Sequence, residues 1–283
     1  MASTASTKIP PLLEPYLDLP PEAALVVLTS VLGASANWLV LRWVYGLLRN
    51  GQQAGEAADT TAVVLCSFLR DGAFWREGAA KMMTYCGYSS TVGLDLDAVN
   101  RSKRFIFVDG LTGLYVPNGE PSTGGGRDHV LRGGKMDDVK KGVEKAIAEV
   151  SKEGRKVVLL VDGMDAWLAM GGVGALGAVN VLSSWRERVH ATVVAISADD
   201  PLLHAQNTTL EKDHAAFALS LAHEARIFMA LRLLDTGTAR DVSGVVRVTG
   251  GGKAEEDEAG KGEGEFLYFV GGDGGVRVFE RGA

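Results

Sequence analysis

The first two thirds of the chain alternate between continuous apolar runs and segments with helical spacing. Apolar runs of this length are typical of strands that are covered on both faces of a sheet. Five such runs lie at 24–31, 61–68, 104–109, 156–162 and 191–197. Helical segments are predicted at 38–48, 73–85, 136–151 and 176–189. The alternation predicts parallel βαβ units joined by right-handed crossovers.

The last third of the chain lacks this alternation. After a predicted helix at 210–223, four strands are predicted at 226–234, 244–249, 265–270 and 276–279. Because no helix separates these strands, they predict an antiparallel extension of the sheet. The segment Gly271-Gly-Asp-Gly-Gly275 predicts a hairpin turn. The predicted fold class is therefore α/β, with a mostly parallel sheet flanked by helices and antiparallel C-terminal strands.

The domain organisation follows from local composition. Residues 1–22 are predicted to form a proline-rich N-terminal extension, and residues 23–283 a single domain. Residues 250–264 are rich in Gly and acids and are predicted to form a mobile loop. The net charge is −6, from 29 Lys and Arg against 35 Asp and Glu. Much of this charge comes from the predicted loop, so the acidic balance does not exclude a basic surface elsewhere.

Targeting signals and cysteines predict a compartment. No basic region precedes an apolar stretch at the N-terminus, so no signal peptide is predicted. Residues 24–41 are uncharged, but polar residues interrupt them and Arg42 ends them. That pattern favours a buried strand, turn and helix over a membrane span. Two cysteines cannot form a disulfide scaffold, which is typical of a reduced, intracellular protein.

The turn after the first strand resembles an incomplete phosphate-binding loop. Such a loop requires G-x-x-x-x-G-K-[ST], in which backbone amides, a lysine and a hydroxyl hold phosphate and Mg²⁺. In the window 28–35, Gly33 and Ser35 are in register. Leu28 replaces the first glycine and Ala34 replaces the lysine. The sequence therefore predicts a degenerate P-loop at Gly33, Ala34 and Ser35.

Two further strands end in an acid. Asp109 and Asp162 each follow an apolar run and precede a glycine. Such an acid can hold Mg²⁺ through water, but Asp-Gly is also the usual composition of a strand-end turn. The five histidines lack metal-ligand spacing, and no nucleophile motif is complete. No catalytic residue, metal or cofactor is predicted.

The basic residues are concentrated between 101 and 141, where eight Lys and Arg stand against five acids. A solvated face is one interpretation of this excess. The alternative is a surface that faces RNA or phosphate. Under that alternative, Arg127, Arg132 and Lys135 are the candidate contacts to RNA.

Several segments together resemble the family of the sixth subunit of the Elongator complex. The likeness covers about residues 24–249 and is most specific in the C-terminal part, for example Ser197-Ala-Asp-Asp-Pro-Leu202. The remaining matching segments are 35–39, 67–71, 74–78, 107–110, 160–165, 221–226, 231–239 and 241–247.

The resemblance implies a RecA-like fold without working nucleotide motifs. It implies a heterohexameric ring with Elongator subunits four and five, two copies of each, which joins the catalytic subcomplex. That ring binds tRNA for the modification of wobble uridines, and this subunit is not itself an enzyme. The implied location is the cytoplasm, with the nucleus as a second location.

A RecA-like arrangement also implies two pore loops, at 170–177 and 199–209. Neither segment contains Lys or Arg, so only His204, Gln206 and Asn207 are candidates for hydrogen bonds to tRNA. Two other hypotheses stay open at this point. One is a divergent P-loop enzyme that hydrolyses nucleotides, and the other is an α/β binding module unrelated to tRNA.

Overall fold

The computed structural model describes residues 9–53, 61–82, 84–86, 89–91, 93–116, 128–152, 154–171, 173–235, 237, 239–254 and 263–280. The strands within these ranges are β1 Leu25–Ser30, β2 Thr61–Ser67, β3 Thr84–Cys86, β4 Ser89–Thr91, β5 Phe105–Asp109, β6 His129–Val130, β7 Lys156–Asp162, β8 Ala191–Ser197, β9 Ile227–Arg232, β10 Gly244–Gly250, β11 Gly264–Val270 and β12 Val276–Glu280.

The helices alternate with the strands through most of the chain. They are α1 Asn37–Gln53, α2 Gly72–Ala80, α3 Leu96–Arg101, α4 Thr112–Tyr115, α5 Met136–Val150, α6 Met164–Ala169, α7 Ala175–Arg186 and α8 Thr209–Glu224. A 3-10 helix at Pro11–Tyr16 and a π-helical turn at Pro201–Ala205 complete the set. No helix among the described residues is long and apolar enough to cross a membrane.

Ten strands form one sheet in the order β12-β11-β10-β9-β1-β8-β7-β2-β5-β6. The strands from β9 to β6 in this order run parallel, and β10, β11 and β12 extend the sheet antiparallel. A second, two-stranded sheet pairs β3 with β4. The predicted α/β class and the antiparallel C-terminal extension are therefore confirmed.

The apolar runs are continuous because both faces of the sheet are covered. Along β1, Val26 and Leu28 belong to one hydrophobic cluster, whereas Leu25 and Val27 belong to the other. The first cluster lies under α1 and α2 and includes Trp43. The second lies under helices that include α5, α7 and α8. Two helical layers thus enclose the parallel part of the sheet.

The N-terminal segment is packed onto this core over its described part. Leu13 and Leu17 are buried in the cluster under α1, and the 3-10 helix lies against β12. Glu14 also pairs with Arg49 of α1 at 2.9 Å. The division into an extension and one domain stays a prediction, and residues 255–262 of the predicted mobile loop lie outside the described residues.

Several element boundaries differ from the predicted ones. The helix expected at 73–85 ends at Ala80, and Thr84–Cys86 instead forms β3. The short helices α3, α4 and α6 were not predicted. Helix α3 begins where the Asp95 side chain accepts hydrogen bonds from the amides of Asp97 and Ala98. A cap of this kind starts a helix of six residues, which is too short to show clear hydrophobic spacing.

Candidate functional site

The carboxyl ends of the central parallel strands meet at one edge of the sheet. The turns after β1, β2, β7 and β8 enclose a cavity of about 330 Å³ there. Ligands of open α/β sheets usually bind at this edge. Its wall includes residues from all four turns, among them Gly33, Ser35, Arg70, Asp162 and Asp199.

The turn after β1 is closed on itself. The amide of Ala34 donates a hydrogen bond to the carbonyl of Val31 at 2.9 Å. Gly33 has a φ of +90°, which a tight turn of this kind requires at its third residue and which favours glycine. A P-loop instead wraps several free amides around phosphate. The chain here makes a four-residue turn where a P-loop needs a wider cradle.

The amide at the tip of this turn already has an anionic partner. Leu32 donates its backbone N–H to the Asp199 Oδ1 atom at 2.8 Å, across 167 positions of sequence. Asp199 follows β8, the strand beside β1. A carboxylate therefore takes one amide that a phosphate-binding turn would offer to its ligand.

The side chains of the turn also differ from those of a P-loop. Ala34 is 1% exposed, so its methyl group packs inward and offers no charge to the cavity. Leu28 lies within β1 and is completely buried. Ser35 is exposed, and its Oγ accepts a hydrogen bond from the amide of Asn37 at 3.2 Å, at the start of α1.

Asp162 forms a buried pair with Ser67. The hydroxyl of Ser67 donates to Asp162 Oδ2 at 2.7 Å, and its oxygen accepts from the amide of Arg70 at 2.9 Å. Burial raises the pKa of Asp162 to about 6, although the Ser67 hydrogen bond and the charge of Arg70 oppose that rise. Asp165 adds to the rise through charge repulsion. Ser67 was not singled out by sequence reasoning, because only the pairing of β2 with β7 places it opposite Asp162.

Asp109 has a different role at the same edge. It is buried, and its Oδ1 accepts hydrogen bonds from the amides of Leu111 at 2.9 Å and Thr112 at 2.7 Å. These bonds form the turn between β5 and α4. The structure thus engages Asp109 with backbone amides, in the manner of a strand-end turn.

The residues present do not fit a magnesium nucleotide. Among the charged groups in the cavity wall, Arg70 is opposed by Asp162 and Asp199. Ala34, which stands at the position of the P-loop lysine, has no charge to neutralise phosphate. The Asp162 carboxylate already accepts a hydrogen bond from Ser67. Within the described ranges, no cluster of three or more His, Cys, Asp or Glu could hold a metal ion.

The predicted tRNA contacts fall into two separate groups. Arg132 and Lys135 are exposed between β6 and α5, while Arg127 lies outside the described residues. His204, Gln206 and Asn207 are exposed between β8 and α8. Both segments follow parallel strands and lie at the same edge, but β6 and β8 are four strand spacings apart, about 19 Å. The structure does not bring the two groups together.

The implied pore loops are partly helical. Residues Ala175 to Gly177 of the first segment belong to α7, and Pro201–Ala205 of the second forms a π-helical turn. Within the second segment, His204 Nδ1 pairs with Asp200 at 2.7 Å. Gln206 Nε2 donates to the carbonyl of Leu203 at 3.0 Å. The amide of Asn207 donates to Glu211 at 2.6 Å.

Comparison with known proteins supports the fold. No protein-family model matches the chain, and no curated protein matches it. One solved structure that matches is a KaiC-like protein from the hyperthermophilic archaeon Pyrococcus horikoshii OT3. The match covers 97% of this chain and 98% of that chain, with a TM-score of 0.55 and 13% sequence identity. At this identity the likeness shows the fold alone, so the chain has a KaiC- and RecA-like α/β fold.

Proposed function

We propose that the chain is a non-catalytic, RecA-like subunit of the Elongator ring, where it supports tRNA binding for wobble-uridine modification. Its partners are Elongator subunits four and five, the catalytic subcomplex and tRNA. The sequence resemblance supports the ring, and the KaiC-like fold agrees with the fold that this resemblance implies. The observation that carries the non-catalytic part is the closed turn at Val31–Ala34, with its tip amide bonded to Asp199.

Assembly into a ring is supported by exposed apolar side chains. Large exposed side chains that could be buried by neighbours occur at the tip of the turn after β1 and around α7 and α8; they are Leu32, Met170, Leu176, Leu210 and Leu219. Leu32 is 86% exposed and Leu176 is 74% exposed. Exposed apolar side chains mark protein–protein contacts where they form one patch, and the proposed ring requires that neighbouring subunits cover these residues. We expect Leu176→Glu and Leu219→Glu to weaken assembly.

The experiment is to co-express the chain with Elongator subunits four and five and to measure the mass and composition of the purified complex. The proposal predicts a heterohexamer with two copies of each subunit. A monodisperse monomer of this chain, with no association at high concentration, would contradict it. The control for Leu176→Glu and Leu219→Glu is Lys141→Glu, which places the same acid at an exposed position of α5 and should leave assembly unchanged.

A contribution to tRNA binding is tested on the assembled ring. Charge reversal at Arg127, Arg132 and Lys135 is expected to weaken tRNA binding and to reduce its dependence on salt, because fewer counterions are released. If the salt dependence of tRNA binding is unchanged in this variant, these residues do not contact the tRNA phosphates. Replacing His204, Gln206 and Asn207 with Ala should lower the affinity with little change in the slope.

A divergent P-loop enzyme is the second candidate. It is favoured by the position of Asp162 at the end of β7, in the same cavity wall as Ser35, which follows the turn after β1. This candidate predicts phosphate release from ATP that is lost in both Ser35→Ala and Asp162→Asn. Release that persists in both variants, or no release from the wild type, would exclude it.

A further inference from the structure

A second cavity lies on the other side of the start of α1. It has a volume of about 390 Å³ and lies between α1, the C-terminal part of α2, Ser243 just before β10, the strand β11 and the turn before β12. This size is within the range of small-molecule sites. Its wall includes Trp38, Leu41, Arg42, Lys81 and Tyr268.

Arg42 brings a buried charge to this cavity. The residue is 2% exposed, and its Nη2 atom donates to the carbonyl of Gly274 at 2.8 Å. Its Nε atom is buried and has no hydrogen-bond partner among the described residues. No carboxylate in the described part of the chain pairs with Arg42. Burial accordingly lowers the pKa of its guanidinium to about 10.

Another largely buried arginine shows what Arg42 lacks. The Arg76 side chain is 15% exposed, and it pairs with Asp97 at 2.8 Å and with Asp128 at 2.6 Å. Buried charges in proteins are normally paired in this manner, since an unpaired ion loses its hydration without compensation. Arg42 therefore has the environment of an arginine whose anionic partner comes from outside the described chain.

The rest of the wall is suited to a planar apolar group. The rings of Trp38 and Tyr268 lie with centroids 4.9 Å apart, and Leu41 adds an aliphatic surface. The Tyr268 hydroxyl is neutral at physiological pH and does not repel an anion, and burial raises its pKa further, to about 12. Lys81, at the exposed side, supplies a second cation that is shared with Glu77.

We propose that this cavity binds a small organic anion, in which a carboxylate or phosphate monoester pairs with the Arg42 guanidinium and a planar apolar body packs against Trp38 and Leu41. The unpaired buried charge and the adjacent apolar wall carry this inference together. It is independent of ring assembly and of tRNA binding, and the anion does not need the turn after β1 as a phosphate cradle.

The test is calorimetric titration of the full chain with three matched probes: 2-naphthoate, 2-naphthyl phosphate and the neutral 2-naphthylmethanol. At least one anion is expected to bind about tenfold or more tightly than the alcohol, because a hydrogen bond to a buried charge contributes that much. The tighter of the two anions identifies the preferred head group. No binding of either anion at millimolar concentration, or equal affinity for the alcohol, would overturn the proposal.

Two variants place the binding in this cavity. Arg42→Met should abolish the preference for the anion. Arg49→Met, on the same helix but half-buried and paired with Glu14, should retain it. Lys81→Glu adds an acid at the exposed side and should weaken anion binding several-fold, even if Arg42→Met does not fold. Lys141→Glu is its control. Anion affinity that is unchanged in Lys81→Glu would contradict the assignment, as would a folded Arg42→Met that keeps the preference.

Discussion

The two cavities beside the start of α1 share Gly33, Ser35 and Asn37 in their walls, but they differ in whether their charged groups have partners within the chain. At the sheet edge, the chain satisfies its own polar groups: Asp199 holds the amide of Leu32, and Ser67 holds Asp162. In the other cavity, the buried guanidinium of Arg42 donates its one hydrogen bond within the described residues to the carbonyl of Gly274. The two cavities therefore differ in how their charged groups are paired. The polar groups at the sheet edge are bonded within the chain, whereas Arg42, a few residues into α1, has no carboxylate partner among the described residues.

The largest effect is expected from restoring a P-loop glycine. In Leu28→Gly, a completely buried side chain of β1 is lost from the core. The free energy of unfolding should fall by about 4 kcal/mol, from the cavity and from the added backbone freedom. Chemical denaturation of the full chain measures this change. A loss below about 1 kcal/mol would mean that this position is not part of the packed core.

The next largest change in the free energy of unfolding is expected from replacing Arg76, in comparison with Arg42. Arg76→Met should lower the free energy of unfolding by about 2 to 3 kcal/mol, because it leaves the largely buried Asp128 without its partner. Arg42→Met should change it by less than about 1 kcal/mol or raise it, since no carboxylate loses a partner. The same denaturation experiment compares the two variants. A larger loss in Arg42→Met than in Arg76→Met would reverse the comparison.

The buried Asp162 predicts a pH dependence. Its pKa is about 6 in the folded chain, against an ordinary value of 3.8. Between these values the folded state binds more protons than the unfolded state, so this group makes stability fall as the pH rises from about 4 to 7. Asp162→Asn should remove that contribution and raise the free energy of unfolding at pH 8 by up to about 3 kcal/mol. Denaturation at a series of pH values measures it.

The control for this prediction is Asp109→Asn. Asn also caps a helix, so the turn before α4 should be kept. Asp109→Asn therefore removes a different buried carboxyl at the same edge while its turn is kept, and its slope is compared with that of Asp162→Asn. A wild-type slope that survives unchanged in Asp162→Asn would show that the carboxyl of Asp162 is not held in its protonated form.

The smallest effect is expected at the tip of the turn. Asp199→Ala removes the acceptor for the amide of Leu32, which is exposed and can bond to water instead. The free energy of unfolding should fall by about 1 kcal/mol or less. Backbone amide hydrogen exchange at Leu32 should become faster, whereas exchange at Ala34 should change little. Unchanged exchange at Leu32 would indicate that the carboxylate does not hold this amide.

The strands of the sheet could be predicted from the sequence, whereas the contacts between side chains at its edge could not. The bounds of β7 and β8 matched the predicted strands, because continuous apolar runs in a doubly covered sheet have sharp polar ends. The hydrogen bonds of Ser67 and Asp199 could not be predicted from the sequence. Their partners lie 95 and 167 positions away, and only the strand order brings them together.

Arg42 shows a second limit. In the sequence it is the charge that ends an uncharged stretch, which is the usual mark of a segment reaching solvent. In the structure it lies inside α1 and is 2% exposed. Periodicity places a residue on a face of a helix, but it does not reveal what the opposite wall provides. Here that wall comes from Ser243, from β11 and from the turn before β12, more than 200 positions away.

The most direct test of the central claim is calorimetric titration of the purified full chain with ATP and Mg²⁺. The closed turn, the buried Ala34 and the bond between Asp199 and the amide of Leu32 predict no binding at micromolar concentrations. The Asp199→Ala variant should also fail to bind, because no lysine reaches the cavity from the position of Ala34. A micromolar Kd for the wild type, lost in Asp162→Asn, would contradict the account.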